Sequence, residues 1–324
     1  MQSTVDLTPL IKALRKQKYQ LVGSHSAVKK CRWLHESLTK GRVCYKQKFY
    51  GVQSHRCVQM TPTLACNMRC KFCWRIHPED LGLPAIPPSG GWDEPEEIVR
   101  GCVEAQLRIL SGYGSQVKEG RIGRERYLEA LSPKHAAISL DGEPTLYPRL
   151  GELIGEFRRR GFTTFLVTNG TRPEALAALD EEPSQLYVSI YAPDEETFKE
   201  VCRPAQAGAW RKLKETLSLL PSFSCPTVAR LTLVRGANMG DPKGYARLLE
   251  RPSPTYIEPK AYMFVGHSRL RLSFENMPSH EEVVSFSKAL AAELSYRLIG
   301  ESKESRVALL SRLNEPMRIS PNPC

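Results

Sequence analysis

Three cysteines stand in one short polar stretch, LACNMRCKFCWR at 64–75: Cys66, Cys70 and Cys73. Three residues separate the first pair and two separate the second. Thiolate is a soft ligand that selects zinc, copper(I) or iron–sulfur clusters. A structural zinc site is normally closed by four ligands, usually as two close pairs. Here there are three cysteines and no matching pair downstream, where Cys102, Cys202, Cys225 and Cys324 each stand alone. Three cysteines on a cubane cluster leave one iron without a protein ligand, a place where substrate or cofactor can bind. Zinc stays open as the alternative.

A second set lies upstream. Cys31, Cys44 and Cys57 are spaced with 12 residues in each interval, in a segment dense in lysine, histidine and aromatic side chains. Three thiolates from a wrapping segment can hold another cluster whose free iron faces the first. The plain alternative is three buried free cysteines, which are common in cores.

These residues need a scaffold. The chain has 324 residues, enough for one large α/β barrel or two small domains. Its 41% hydrophobic content suits a globular core, and no apolar run approaches the roughly 18 residues of a membrane helix. The N-terminal MQSTVDLTPLIKALRKQKYQ lacks a signal-peptide core and cleavage site, so a cytoplasmic location is expected. There, thiols stay reduced and serve as ligands or catalysts more often than as disulfides. The net charge of +11 favours a polyanionic partner, or is simply a soluble basic surface.

Apolar spacing predicts an opening helix over 5–17 and strands at 57–63, 136–140, 162–168, 186–190, 228–234 and 256–264. Helical patterns lie between them at 94–111, 148–160, 173–180, 194–201, 208–220 and 242–250, with a last one at 279–298. Six strand–helix units in succession imply a parallel sheet with right-handed crossovers, open or curled into a partial barrel. Two stretches interrupt the rhythm: a Pro/Gly-rich loop at 76–95 and a basic insertion at 112–134. The first cysteine set then follows the first strand, at the carboxyl end where α/β barrels place their chemistry.

The spacing Cys-x3-Cys-x2-Cys, with Phe72 before its last cysteine, resembles that of the radical S-adenosylmethionine enzymes. That resemblance implies an open iron that chelates the amino and carboxylate groups of the methionine portion. Reductive cleavage of the sulfonium then yields a 5′-deoxyadenosyl radical. LDGEP at 140–144 resembles the family's Gly-Glu-Pro element, which puts Gly142, Glu143 and Pro144 against the methionine amino group. Asp141 stands where a small residue is usual. VTNGT at 167–171 and SIYAPD at 189–194 place Thr168, Asn169 and Ser189 at ribose- and carboxylate-contacting positions by the same resemblance.

With the upstream triad added, and with KQKFYG, GEPTLYP and QLYVSIYAPD, the chain is similar to one subfamily, the archaeal type of tRNA 4-demethylwyosine synthases of the wyosine and wybutosine pathway. What this implies is an α/β fold: a partial (βα)6 TIM-like barrel over 57–298, with an N-terminal helix and cluster-binding extension over 1–56 and a C-terminal extension over 299–324. It also implies two [4Fe-4S] clusters, S-adenosyl-L-methionine, pyruvate and a tRNA(Phe) carrying N1-methylguanosine, condensed at position 37 into 4-demethylwyosine. Lys46 matches the lysine that forms a Schiff base with the keto group, and Lys48 is the reserve. Eukaryotic relatives carry a flavodoxin-like domain for which this chain has no room, so the electron donor is expected to be a separate flavodoxin or ferredoxin. No membrane partner is expected, and the enzyme is expected to be a monomer. The tRNA is expected on Lys118, Arg121, Arg124 and Arg126, on WRIH at 74–77 and on GHSRLR at 266–271, with Arg158, Arg159 and Arg160 on the opposite rim. Competing readings are a radical S-adenosylmethionine RNA methyltransferase, with Cys225 or Cys324 as methyl carrier, and a non-catalytic zinc- or cluster-bearing RNA-binding module.

Overall fold

The computed structural model describes residues 6–84 and 91–320. The first helix, α1 (Thr8–Lys16), buries Leu10 and Leu14 and leads into a hairpin of β1 (Tyr19–Val22) and β2 (Ser26–Lys29). Next come α2 (Arg32–Lys40) and α3 (Tyr45–Tyr50), each ended by a glycine in the left-handed region, Gly41 and Gly51. The alternating part opens with β3 (Cys57–Thr61), α4 (Pro95–Ser111), the short α5 (Gly114–Lys118) and α6 (Arg124–Ala130), and β4 (His135–Ile138). It continues through α7 (Leu150–Arg159), β5 (Thr163–Thr168), α8 (Pro173–Ala177), β6 (Gln185–Ile190), α9 (Glu195–Cys202) and α10 (Ala209–Leu219). It closes with β7 (Thr227–Leu233), α11 (Pro242–Glu250) and β8 (Tyr256–Ala261), followed by α12 (His280–Glu293), β9 (Arg297–Ser302) and β10 (Val307–Ser311).

Strands β3 to β8 pair in parallel and in chain order, the partial (βα)6 barrel expected from the sequence. The sheet nevertheless has ten strands, not six. β1 and β2 extend it antiparallel beyond β3, and β10 and β9 extend it antiparallel beyond β8. The N-terminal hairpin strands have four residues each, too short for a pattern of alternation to stand out. At the other end, the helix expected over 279–298 stops at Glu293, because Leu294 turns extended (φ −128°, ψ 158°) and the chain re-enters the sheet. The insertion at 112–134 folds into α5 and α6 on α2, around Leu34, Leu38, Tyr113 and Ile122. Part of the loop at 76–95 lies outside the described residues, and Pro78–Leu81 forms a single 3-10 turn.

Alternation along the strands makes two interiors. Val58, Met60, Ile138, Leu166, Val188, Leu231 and Ile257 face the helices and pack on Leu153, Phe157, Leu213 and Leu249. The opposite faces point into the barrel. There Phe165, Tyr187, Val228 and Tyr256, all near the starts or middles of their strands, surround Tyr45, Phe49 and Tyr50 of α3. The N-terminal extension thus fills the amino-terminal half of the lumen. Tyr50 donates to the Glu258 carboxylate (2.7 Å), and that carboxylate, with no solvent exposure, pairs with Arg230 (2.6 Å). Burying the ion pair without its full set of hydrogen bonds would cost several kcal/mol. The third partner is Tyr45, whose hydroxyl accepts from Arg230.

His135 fixes the segment before β3 to the barrel. Its Nε2 accepts from the Gln53 N–H (3.2 Å), so Nδ1 carries the proton and donates to Thr163 Oγ1 (2.6 Å). Burial, helped by nearby Arg56, lowers its pKa to about 4. A base whose folded pKa lies below its unfolded value contributes stability that is complete above pH 6.5 and lost as pH falls toward 4. Urea unfolding followed from pH 7 to pH 4 should therefore show a loss of up to about 3 kcal/mol from this residue. His135→Asn should flatten the slope by that amount.

Candidate active site

The cysteine loop leaves the carboxyl end of β3 and is held from behind by backbone and arginines. The Arg69 N–H donates to the Cys202 and Arg203 carbonyls (3.0 and 3.2 Å), and the Lys71 N–H to the Val201 carbonyl (2.9 Å). Arg69 Nη1 donates to the carbonyls of Cys66 (2.8 Å) and Met68 (2.9 Å) while Nε donates to Glu79 (2.9 Å). Arg271 reaches in from the far end of the chain, donating to the Cys73 carbonyl (2.5 Å) and to both oxygens of Asp80 (2.8 and 2.9 Å). These contacts turn Cys66, Cys70 and Cys73 toward one cavity of about 630 Å³. The same cavity is lined by Gly142, Glu143, Pro144, Thr168, Asn169 and Ser189, so it joins the strand-end residues expected from sequence.

Those residues are bound to one another as well as to the space they line. Gly142 has φ +63°, and a Cβ there would lie 2.1 Å from the Thr63 carbonyl oxygen and 2.6 Å from that of Ala65. Only glycine allows the turn to sit against the residues just before Cys66. The Glu143 N–H closes the contact, donating to the Ala65 carbonyl (2.8 Å). The Glu143 carboxylate accepts from Thr145 Oγ1 (2.6 Å), Thr168 Oγ1 (2.6 Å) and the Asn169 N–H (2.8 Å). Burial pushes its pKa up, and these bonds pull the other way. Asn169 in turn donates to Asn67 (2.8 Å) inside the cysteine loop. Asp141 is accommodated by the N-terminal hairpin: Tyr19 donates to it (3.1 Å) and Arg75 lies 3.8 Å away. In SIYAPD, Asp194 is the N-cap of α9, accepting from the Thr197 N–H (2.8 Å).

The upstream cysteines converge from separate elements. Cys31 is the N-cap of α2, Cys44 the N-cap of α3, and Cys57 the first residue of β3. Amides of Trp33 and Leu34 reach the Cys31 sulfur and the amide of Lys46 reaches that of Cys44, which favours thiolate. Without a metal, burial dominates and pushes the Cys44 and Cys57 thiols up to about 12, each raised further by a neighbouring cysteine. Cys31 lines the same cavity as the first triad. Five residues of β3, roughly 16 Å of strand, separate the two ends of the lumen from which the triads approach.

Lys46 points into that lumen, its Nζ over the rings of Tyr187 (4.1 Å) and Phe165 (4.6 Å). Burial first, then Arg230, lowers its pKa to about 8. Lys48, on the other side of α3, is exposed and donates to the Glu301 carbonyl (3.2 Å), away from the cavity. Sequence reasoning missed Lys260, which lines the cavity from β8 and is likewise lowered to about 8 by burial and Arg230. It also missed Cys202, whose thiol lies against Cys70; that hydrogen bond, with burial, pushes Cys70 well up. Neither shows a local motif.

Several expected positions fall elsewhere. Helix α4 runs back along β3 and delivers 112–134 to the amino-terminal end of the sheet, where Arg56 donates to the Ser132 carbonyl (2.9 Å) and His55 pairs with Glu129 (2.7 Å). The insertion and Arg158–Arg160 therefore share one end, not opposite rims. Arg271 and Arg75 are turned inward, Arg271 onto Asp80 and Arg75 onto the Ser139 carbonyl. Exposed or half-buried cations that do line the cavity are Lys29, Lys30 and Arg32, beside Trp33 and Trp74. Cys225 lies just before β7, at the amino-terminal end, with its N–H on Glu182 (2.8 Å), so it does not reach the cavity; Cys324 is outside the described residues.

The thiols suit clusters better than a lone ion. Among the described residues no three His, Cys, Asp or Glu side chains converge tightly enough for one metal ion. Within each triad, however, the sulfurs lie in electrostatic reach of one another. A cubane takes each thiolate on a different iron and so needs them spread apart.

Comparison with known proteins agrees with this geometry. A family profile described as Radical SAM superfamily matches residues 122–249, and one described as Wyosine base formation matches 251–312. An S-adenosyl-L-methionine-dependent tRNA 4-demethylwyosine synthase of Pyrococcus abyssi is 50% identical over 303 residues, covering 92% of this chain and 87% of that protein. The protein of that description from Methanocaldococcus jannaschii is 42% identical over 314 residues, covering 96% and 98%. A solved structure described as TYW1 with a lysine–pyruvate adduct bound superposes with TM-score 0.85 at 40% identity, covering 97% of this chain and 98% of that one.

Gly142→Ala tests how closely the turn and the cysteine loop are coupled. Strain at a positive φ plus the backbone clash should lower stability by about 1–3 kcal/mol in thermal unfolding. S-adenosylmethionine binding, measured by equilibrium dialysis, should be lost with it, whereas Gly41→Ala, which meets no neighbour, should keep binding.

Proposed function

The chain belongs to the family of S-adenosyl-L-methionine-dependent tRNA 4-demethylwyosine synthases, and from that we propose that it condenses N1-methylguanosine-37 of tRNA(Phe) with pyruvate to form 4-demethylwyosine. The observation that carries this reading is the pair of cysteine triads in the barrel interior, Cys66, Cys70, Cys73 and Cys31 lining one cavity and Lys46 standing beside Cys44 and Cys57. Cys66, Cys70 and Cys73 would hold a [4Fe-4S] cluster that binds S-adenosylmethionine, and Cys31, Cys44 and Cys57 a second cluster on the pyruvate side. When bound, the first cluster and its S-adenosylmethionine supply a radical able to take a hydrogen atom from the N-methyl group, opening the way to a carbon–carbon bond with pyruvate and a lyase reaction.

The rest falls to side chains. Gly142 and Pro144 present backbone to the methionine end, and Glu143, whose own oxygens are taken up by Thr145, Thr168 and Asn169, positions that turn without reaching substrate. Thr168, Asn169 and Ser189 line the wall between the two cofactor ends. The Lys46 amine, when unprotonated, adds to the keto carbon of pyruvate and expels water to leave an imine; a lowered pKa raises the fraction able to do so. Two ring faces, Tyr187 and Phe165, restrict where that amine can point. A guanine stacked in an anticodon loop must be turned out to reach this depth. Lys30 and Arg32 are exposed and line the cavity, and Trp33 and Trp74, which also line it, offer ring faces. The electron donor is a separate flavodoxin or ferredoxin, the protein works as a monomer in the cytoplasm, and no helix among the described residues is long and apolar enough to cross a membrane.

Each triad should account for about four irons. Anaerobically reconstituted Cys66→Ala should lose that share and all S-adenosylmethionine cleavage. Cys44→Ala should lose the same amount of iron yet keep uncoupled cleavage to 5′-deoxyadenosine; normal ring formation by Cys44→Ala would remove the second cluster from the proposal.

Borohydride reduction during incubation with labelled pyruvate should leave label on Lys46 and none on Lys48. Full activity in Lys46→Ala would show that no imine is needed.

For the tRNA, filter binding across a salt series should separate the cavity-lining cations from those of the insertion. Lys30→Glu and Arg32→Glu should weaken binding and reduce the salt slope by about one phosphate each, while Arg124→Glu should leave both near wild type. Equal losses would place the RNA elsewhere.

A further inference from the structure

The barrel interior holds three cations, Lys46, Arg230 and Lys260, and among the described residues Glu258 is the carboxylate within reach of all of them. Arg230 has its counter-ion: Nε and Nη2 donate to the Glu258 carboxylate (3.2 and 2.6 Å), and Nη2 also donates to Tyr45. Lys46 lies over two aromatic rings beside Cys44 and Cys57. Lys260 differs from both. It projects from β8 two residues beyond Glu258 toward the carboxyl end, and its Nζ donates to a neutral acceptor, the Ser305 carbonyl (2.9 Å).

Ser305 supplies the second observation. It closes the turn between β9 and β10, lines the same cavity and is 5% exposed, yet its hydroxyl is buried without a hydrogen-bond partner. Leaving a buried hydroxyl unpaired is costly, so an acceptor is expected beside it. An ammonium and a hydroxyl without an acceptor, on one wall that Glu304 also lines, are the donor types that recognise a carboxylate.

We propose that Lys260 and Ser305 bind the carboxylate of the 2-oxo acid, leaving its keto carbon directed across the lumen to Lys46. This rests on the function proposed above and assigns the residues that decide which ketones are accepted. An anionic 2-oxo acid gains the Lys260 ammonium and the Ser305 hydroxyl; a neutral ketone of the same shape gains neither charge pairing nor a strong acceptor for the serine. The three side chains then divide the work: Lys260 and Ser305 hold one end of the substrate, Lys46 reacts with the other, and Arg230 keeps Glu258 from competing for Lys260.

The test is anaerobic titration calorimetry of the cluster-loaded protein with pyruvate and with its neutral isostere pyruvamide. Lys260→Met should weaken pyruvate about 10- to 100-fold and leave pyruvamide unchanged, and Ser305→Ala, a milder change in case the first misfolds, should weaken pyruvate about 3- to 10-fold. Lys260→Arg should restore most of the pyruvate affinity. Unchanged pyruvate affinity in Lys260→Met, or equal loss for both compounds, would overturn the assignment. Borohydride trapping in parallel separates this from the imine reading. Pyruvate binding that depends on Lys260 but leaves no label on Lys46 would sink the imine alone, whereas a wild type that binds no pyruvate would sink both.

Discussion

A buried carboxylate must have its oxygens paired or it costs several kcal/mol, and the Glu143 side chain meets that demand by drawing its own turn and the end of β5 together. Thr145 is on its own turn, Thr168 ends β5, and Asn169 carries the connection on to Asn67 in the cysteine loop. Gly142 adds the close backbone approach that lets the turn rest on Thr63 and Ala65. The cysteine loop and the cofactor-facing wall are therefore one hydrogen-bonded unit. Arg69 and Arg271 extend it outward by holding the loop's carbonyls from the side away from the cavity.

The second half of the site depends on a different device, an N-terminal extension threaded into the barrel. α3 places Tyr45, Phe49 and Tyr50 among inward-facing strand residues, and the burial of those rings holds Cys44 and Lys46 in the lumen. The Arg230–Glu258 pair crosses the same space, with Tyr45 and Tyr50 from the extension completing its hydrogen bonds. The extension is thus part of the barrel interior. Two aromatic faces, a paired arginine and two lysines leave a cationic chamber open toward the first cysteine triad.

What the sequence made legible was local. Six strands alternating with helices show in apolar spacing, and Cys66, Cys70 and Cys73 show in eight residues. The edges of the sheet were not legible: β1 and β2 are four residues each, and β9 follows α12 after a turn too short to interrupt the apolar pattern. Charge was read without direction. Arg271 looked like a phosphate contact, but its partner Asp80 is 191 residues away and turns it inward. The insertion carries basic residues, yet the run of α4 sets them at the other end of the barrel from the cysteine loop. Lys260 and Ser305 have no motif at all; they become a site only when the last hairpin folds against β8.

In the proposed reaction the two cysteine triads bring an N-methyl carbon and a 2-oxo acid together in one barrel interior. Anaerobic turnover of tRNA(Phe) bearing N1-methylguanosine, with S-adenosylmethionine, a low-potential reductant and pyruvate labelled with carbon-13 at its keto and methyl carbons, tests it most directly. Mass spectrometry of the released nucleosides should find 4-demethylwyosine carrying both labelled carbons, with 5′-deoxyadenosine formed alongside. A nucleoside that gains a methyl carbon from S-adenosylmethionine instead, or a tricyclic product without the pyruvate label, would contradict it.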